Sequence, residues 1–229
     1  QAAVGDTDTY LNYNSSGAGT CSTGTSCPWG SLVSPSNGTF ETWVKYTGSS
    51  PCTSQQVIGG MMGFELACAN SYWRAAILSS GVTWTYTTDR SNETVTTNAW
   101  THLAFTWANP GSVLFYVNGV LTDTTTSNVT INASGSGIYL GRYQNVQEFQ
   151  GGIDDTMLWA TQRTQAQIQS DMNNRPNVSD SNLKAYYDFN DVTSDTVTNR
   201  ALNGFGTAAD LTRLSGANFP ENVTTDTSS

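Results

Sequence analysis

The stretch NAWTHLAFTWANPGSVLFYVNGVL, residues 98–121, decides the fold class. Trp100 to Trp107 and Val113 to Val117 are dense in β-branched and aromatic residues, the composition of two neighbouring strands. Asn118-Gly119 separates Val117 from Val120-Leu121, and both residues tolerate the positive φ that a two-residue hairpin turn requires. Upstream, Thr39 to Tyr46 (TFETWVKY), Tyr72 to Ile77 and Val82 to Thr87 read the same way, the last two divided by Ser79-Ser80-Gly81. Downstream, Val129 to Ile131, Ile138 to Leu140, Ile153 to Trp159 and Leu183 to Phe189 continue the series; a first strand lies near Tyr10 to Tyr13. Short strands at regular spacing predict an all-β sandwich or barrel. One helix interrupts it in the C-terminal third. Thr164 and Gln167 form a capping box, Ile168 and Met172 share a face, and Asn173-Asn174-Arg175-Pro176 stops the element. About ten residues of helix cover little, so it is expected to close one end of the sandwich. No Pro- or Gly-rich linker divides the chain, which reads as one domain over residues 1–229 with extended Thr/Ser-rich ends at roughly 1–9 and 208–229.

Composition removes several function classes. The 229 residues carry 18 acidic and 9 basic side chains, a formal charge of -9. Nine scattered Lys/Arg cannot build a phosphate-tracking stripe, which excludes nucleic acid as a partner. Only 12% of the chain is charged; 34 Thr and 25 Ser supply the polarity instead. The longest apolar runs are a few residues, too short for a spanning helix. Gln1-Ala2-Ala3 reads as the cut end of a processed chain. Four cysteines allow three pairings. Neighbours Cys21–Cys27 and Cys52–Cys68 suit a loop and a hairpin, the alternatives being a crossed pairing or free core thiols. Sequons at Asn14, Asn37, Asn92, Asn128, Asn132, Asn177 and Asn222 agree with a secreted, extracellular or cell-surface glycoprotein, although so Ser/Thr-rich a chain generates most of them by chance.

Four segments carry a resemblance. GTFETWVKYTG (38–48), NAWTHLAFTWANPGSVLFYVNGVL (98–121), IYLGRY (138–143) and FQGGIDDTMLWATQRTQAQI (149–168) resemble, in order and spacing, the motifs of laminin-G-like jelly-roll domains of the concanavalin A-like lectin/glucanase superfamily. NLKAYYDFNDVTSDTVTNRALNGFGT (182–207) resembles a phrase that accompanies such domains, with Asn199 where that phrase has Asp. The resemblance implies two facing antiparallel sheets. It further implies core positions for Trp43, Trp100, Trp107 and Trp159, a packing role for His102, and one structural Ca²⁺ held by a carboxylate of the Ile153–Trp159 strand with backbone carbonyls near the N-terminus.

Chemistry is read from sites, not from fold. A hydrolytic centre needs two carboxylates facing the same way, as in E-x-D-x-x-E; Glu41, Glu65, Glu93, Glu148 and Glu221 lie in no such pattern. The lyase branch needs a His or Tyr base beside Arg and Gln, and the single histidine, His102, falls inside a packing motif. No catalytic residue is assigned. Adjacent Asp154 and Asp155 point to opposite faces of a strand, so they cannot share a proton. One of them must face inward, where Ca²⁺ or backbone N–H donors would offset the burial of its charge. Asp6 and Asp8 are candidate further ligands. Trp73, Trp84 and Tyr86 are candidate rings for stacking on sugars, Trp84 and Tyr86 sharing a face by the two-residue period. Trp29 is a candidate plug at one end of the sandwich. The chain is therefore expected to act by contact: as a structural or adhesive building block of an extracellular surface or filament that meets copies of itself or other proteins, or as a lectin-like glycan binder, with a polysaccharide hydrolase or lyase behind both. A tail such as Val223-Thr224-Thr225 is suited to adding to an open sheet edge.

Overall fold

In the computed structural model, the described residues are 11–12, 19–20, 36–48, 52–61, 64–79, 83–86, 93–108, 111–127, 139–141, 147–190, 196–203 and 211–213. Two antiparallel sheets face each other. The first has seven strands: β1 (Leu11–Asn12), β12 (Gly151–Trp159), β3 (Asn37–Tyr46), β8 (Trp100–Ala108), β9 (Gly111–Val117) and β10 (Val120–Ser127) in spatial order, with β13 (Leu183–Tyr187) paired to β12. The second runs β14 (Thr196–Val197), β15 (Leu211–Arg213), β2 (Gly19–Thr20), β11 (Tyr139–Leu140), β4 (Gln56–Met61), β5 (Phe64–Ala69), β6 (Tyr72–Ser79) and β7 (Thr83–Tyr86). The predicted hairpin is present: Val120 pairs with Val117, and Asn118 and Gly119 take φ of 50° and 71°.

Side chains from alternating positions fill the space between the sheets. Phe40, Val44, Leu103, Phe105, Trp107 and Ile153 of the first sheet meet Ile58, Phe64, Leu66, Trp73 and Ile77 of the second in one buried cluster. Gly38 is glycine for a packing reason, because a Cβ there would stand 2.0 Å from the Trp107 ring. The Cys52–Cys68 disulfide closes the β4–β5 hairpin, with Cα atoms 5.9 Å apart. Cys21 and Cys27 lie outside the described residues, as do Val129–Ile131, Trp29, residues 1–9 and residues 214–229; Leu211–Arg213, expected in the C-terminal extension, instead forms β15 of the second sheet.

The helix α1 (Gln165–Asp171) starts at Thr164 with the predicted capping box. Its position corrects the sequence reading. Ile168 packs on Ala104 and Tyr116, the side of the first sheet turned away from the main core, so the helix covers a sheet face and not an end of the sandwich. Gln165 and Gln169 fasten it by donating to the Gly119 carbonyl, each at 3.0 Å. Alongside, Met157, Trp159, Leu183, Tyr186 and Ala201 form a second buried cluster with Val178 packed against it. The central strands β3, β8 and β12 of the first sheet are thereby buried on both faces and lose the alternation of a half-exposed strand. Trp100 departs from its expected core role: it is half-buried, with the Lys45 ammonium 6.0 Å from its ring.

Asn199 supports the segment after the helix. Its Oδ1 accepts from the Tyr186 and Ala201 amides, and its Nδ2 donates to the Lys184 carbonyl at 3.2 Å. An aspartate could not make the last bond.

Replacing Cys52 and Cys68 together by alanine should lower unfolding free energy by roughly 3 kcal/mol, the loop-closure value for a loop of this length. Denaturant titration of the variant against the oxidised parent measures it.

Candidate functional site

The outer face of the second sheet carries a polar constellation that the sequence motifs do not announce. On β5, Phe64, Leu66 and Cys68 enter the main core, so Glu65 and Ala67 face the other way. Ala67 packs with Val57 of β4 in a separate small cluster. Arg74 of β6 pairs directly opposite Ala67, and Ala76 opposite Glu65. Gln55, in the turn leading into β4, donates its Nε2 to Glu65 Oε1 at 2.6 Å. Glu65 is 3% and Arg74 8% exposed. Burial drives the Glu65 carboxyl up to about 7, against the opposing pull of the Gln55 hydrogen bond and the Arg74 charge.

Register extends this constellation across the sheet. Tyr139 pairs with Gly60, Gly60 with Glu65, Glu65 with Ala76, and Ala76 with Tyr86. Directly opposed residues share a sheet face, so two tyrosine positions flank Glu65 in one cross-strand row, each separated from it by a residue with little or no side chain. Trp84 pairs with Leu78, two residues along from Tyr86. The side chains of Trp84, Tyr86 and Tyr139 lie outside the described residues. Trp73 does not join this face. It pairs opposite Cys68, is 1% exposed and packs toward Phe149 at 6.4 Å between ring centroids, which removes it from the glycan-contact candidates. A two-residue period gives each strand two faces without saying which is inward. Here the disulfide hairpin decides it.

The two aspartates of β12 occupy an irregularity, not a regular strand. Between Asp154 and Met157 the pairing with β3 shifts register, and Asp155 adopts φ 43°. Asp154 Oδ1 accepts the Asp155 amide at 2.8 Å, and Asp155 Oδ1 accepts the Tyr186 hydroxyl at 2.7 Å. Burial, then the Asp155 charge, push the Tyr186 phenol far above its ordinary range. These bonds give the buried Asp155 carboxylate and the half-buried Asp154 carboxylate a partner each. Among the described residues no group of three His, Cys, Asp or Glu side chains is placed to hold a metal, which falls short of the six to eight oxygens of calcium. Asp6 and Asp8 lie outside the described residues, so an ion at Asp154 would depend on them or on backbone carbonyls there.

His102 is on the first sheet, remote in topology from Glu65. Its imidazole is fully buried, edge-on to Trp43 with centroids 5.2 Å apart, and desolvation lowers its pKa to about 3. Of the sequons, Asn37 and Asn177 are exposed, while Asn14, Asn92, Asn128, Asn132 and Asn222 lie outside the described residues.

A family model of laminin-G type, described as concanavalin A-like lectin/glucanases superfamily, matches residues 17–169. The chain belongs to that superfamily. Among solved structures, it is similar to a Bacteroides ovatus protein described as a candidate carbohydrate binding protein, with 19% identity, a TM-score of 0.65 and 95% of this chain covered. This chain spans 60% of that structure's length. The SAP-like pentraxin of Limulus polyphemus is similar at 14% identity and TM-score 0.52, over 73% of this chain and 82% of the pentraxin. No curated protein matches. At these identities the likeness shows the fold: a lectin-type sandwich.

The Glu65 carboxyl makes stability depend on pH with a definite sign. Its folded pKa lies above the ordinary 4.5, so the folded chain holds the proton more tightly and loses stability as pH rises toward about 7. Glu65→Gln should match the parent in acid and exceed its stability by at most about 3 kcal/mol above neutrality, because each tenfold difference in proton affinity is worth about 1.4 kcal/mol. Denaturant titrations at a series of pH values read the difference. For the aspartates, EDTA should leave the melting temperature unchanged if the hydrogen bonds suffice; a fall of several degrees would bring an ion and Asp6 or Asp8 back in.

Proposed function

We propose that this chain is a non-catalytic, extracellular contact module that holds a glycan against the outer face of its second sheet. The observation that carries the reading is the placement of Glu65, bonded by Gln55 and close to Arg74, in the middle of a cross-strand row that ends at the Tyr139 and Tyr86 positions. A sugar presents hydroxyls around a weakly apolar ring face. Its recognition calls for a few fixed hydrogen-bonding groups beside aromatic surface. The half-buried Gln55 amide, fixed by the buried Glu65 carboxyl with Arg74 beside it, is placed to supply the first, and β7 and β11, which carry Tyr86 and Tyr139, flank it. The lectin-type fold and the Bacteroides ovatus neighbour support the same class of ligand. The Cys52–Cys68 disulfide supports an oxidising, extracellular setting.

Hydrolysis finds less support. The two buried glutamates, Glu41 and Glu65, are on different sheets, so they cannot flank one glycosidic bond. His102 is neutral and enclosed. A second reading, assembly into a surface layer or filament, is favoured by one feature: among the described residues β10 ends the first sheet and opens with exposed Val120 (57%) and Leu121 (41%).

Isothermal titration against a panel of neutral and acidic oligosaccharides tests the proposal. Arg74→Ala and Tyr86→Ala should each weaken the best ligand by about tenfold or more, roughly 1.4 kcal/mol, while Val120→Ser leaves it unchanged. Equal affinity in all variants would remove the site. Release of sugar products would overturn the non-catalytic reading. Concentration-dependent assembly abolished by Val120→Lys would favour the filament.

A further inference from the structure

The other buried acid, Glu41, lies on the far side of the molecule and has no part in the glycan contact. It points from β3 into the layer between the first sheet and the cover formed by α1 and its flanking loops. Its surroundings are fixed on every side. From β12, Trp159 Nε1 donates to Glu41 Oε1 at 2.7 Å. From β8, His102 Nε2 stands 3.7 Å from Glu41 Oε2, too far for a hydrogen bond, and neither imidazole nitrogen has a partner. The Asp171 carboxylate, at the end of α1, acts on Glu41 through its charge and through a side-chain hydrogen bond, both of which raise the Glu41 carboxyl, while burial raises Asp171 in turn. Arg163, in the loop before the helix, binds Asp171 through Nε at 3.0 Å and through its Nη2, and lies flat on the Trp159 ring at 3.8 Å. Tyr116 of β9 closes the layer beside Ile168, and Asp180 adds a further negative charge near Asp171.

The charge count of this layer is what matters. Arg163 is already matched by Asp171, and His102 is neutral above acid pH. With Glu41 protonated, Glu41, Asp171, Arg163 and His102 sum to zero. Once Glu41 ionises, they carry one uncompensated negative charge inside a dry layer, an unfavourable arrangement that grows with every proton lost. The layer has one movable wall. β3, β8 and β12 are interior strands of the sheet, whereas α1 is a helix of seven residues held by Ile168, two glutamine hydrogen bonds and this cluster. Helices this short do not persist without packing.

We propose that α1 is a proton-locked cover: it lies closed on the first sheet while Glu41 carries its proton, and ionisation of Glu41 against Asp171 releases it. Burial holds the Glu41 carboxyl well above its ordinary range, and the Asp171 charge raises it further. The sign follows. The closed state binds the Glu41 proton more tightly than the open state, so opening is favoured as pH rises. Its release would uncover Ala104, Tyr116 and the Glu41–His102 pair.

Amide hydrogen exchange of residues 165–172 tests this, measured as protection factors from about pH 5 to about pH 9. The Ile168 and Met172 amides, which donate to Thr164 and Ile168 carbonyls, are the reporters. In the parent their protection should fall by at most about tenfold per pH unit from the ordinary glutamate range up to the raised value of the closed state and level off above it, a loss exceeding any at the β4–β6 amides, where Glu65 lowers stability over part of the same range. Glu41→Gln retains an acceptor for Trp159 and cannot ionise; its helix protection should stay constant. Should that variant fail to fold, Asp171→Asn removes a charge that raises the Glu41 carboxyl and frees Arg163 to face it, so the fall should end at lower pH and be smaller. A parent helix whose protection does not change with pH, a Glu41→Gln variant with the parent's fall, or an unmoved fall in Asp171→Asn would overturn the proposal.

Discussion

Coverage of the first sheet's central strands on both faces is the constraint from which the rest follows. A sheet with one wet face can point its polar residues outward at no cost; β3, β8 and β12 cannot. Glu41 and His102 face away from the main core yet are sealed under α1 and the segment after it, and each must be accommodated in place. Trp159 gives Glu41 one hydrogen bond, and both groups are held neutral by desolvation. The same coverage explains the second hydrophobic cluster around Trp159, Leu183 and Tyr186, and the use of Asn199 as a two-way bracket between β13 and the chain that follows.

The second sheet shows the opposite arrangement. Its inner face completes the core, and its outer face gathers Glu65, Arg74 and Gln55 with a small apolar contact between Val57 and Ala67. Two glutamates with raised pKa therefore sit on the two outward faces of one sandwich. One is enclosed by the chain's own helix, and the other is the centre of a cross-strand row. On the proposed reading, the first sheet is scaffold and the second the surface of contact.

Local features are legible in the sequence because their causes are local. Asn118-Gly119 turns where two positive φ values are needed, Thr164 caps α1, and the strands at 39–46, 100–107 and 153–159 stand where β-branched and aromatic residues cluster. What the sequence does not show depends on distant partners. Sequence alone sends the helix to an end of the sandwich because its length is visible and its docking face is not; Ala104 and Tyr116, far away in sequence, decide that. The opposite-face rule for Asp154 and Asp155 assumes a regular strand, and the register shift opposite β3 replaces that geometry. Trp73 reads as a free ring because period alone cannot distinguish the two faces of β6. Glu65 and Arg74 escape a search for paired carboxylates, which looks for catalysis, whereas FELACA and YWRAAI each hide one charged residue among apolar ones, and only the pairing of β5 with β6 brings the two to one face.

The claim at the centre of this account is that contact takes place on the outer face of the second sheet. Nitrogen–proton correlation spectra of labelled protein, recorded during titration with an oligosaccharide that binds by calorimetry, test it most directly. The account predicts shift changes concentrated at Gln55, Gly60, Glu65, Arg74 and Ala76, with the β3 and β8 amides unmoved. Changes confined to the β9–β10 hairpin or to α1, with Glu65 and its neighbours unaffected, would contradict it.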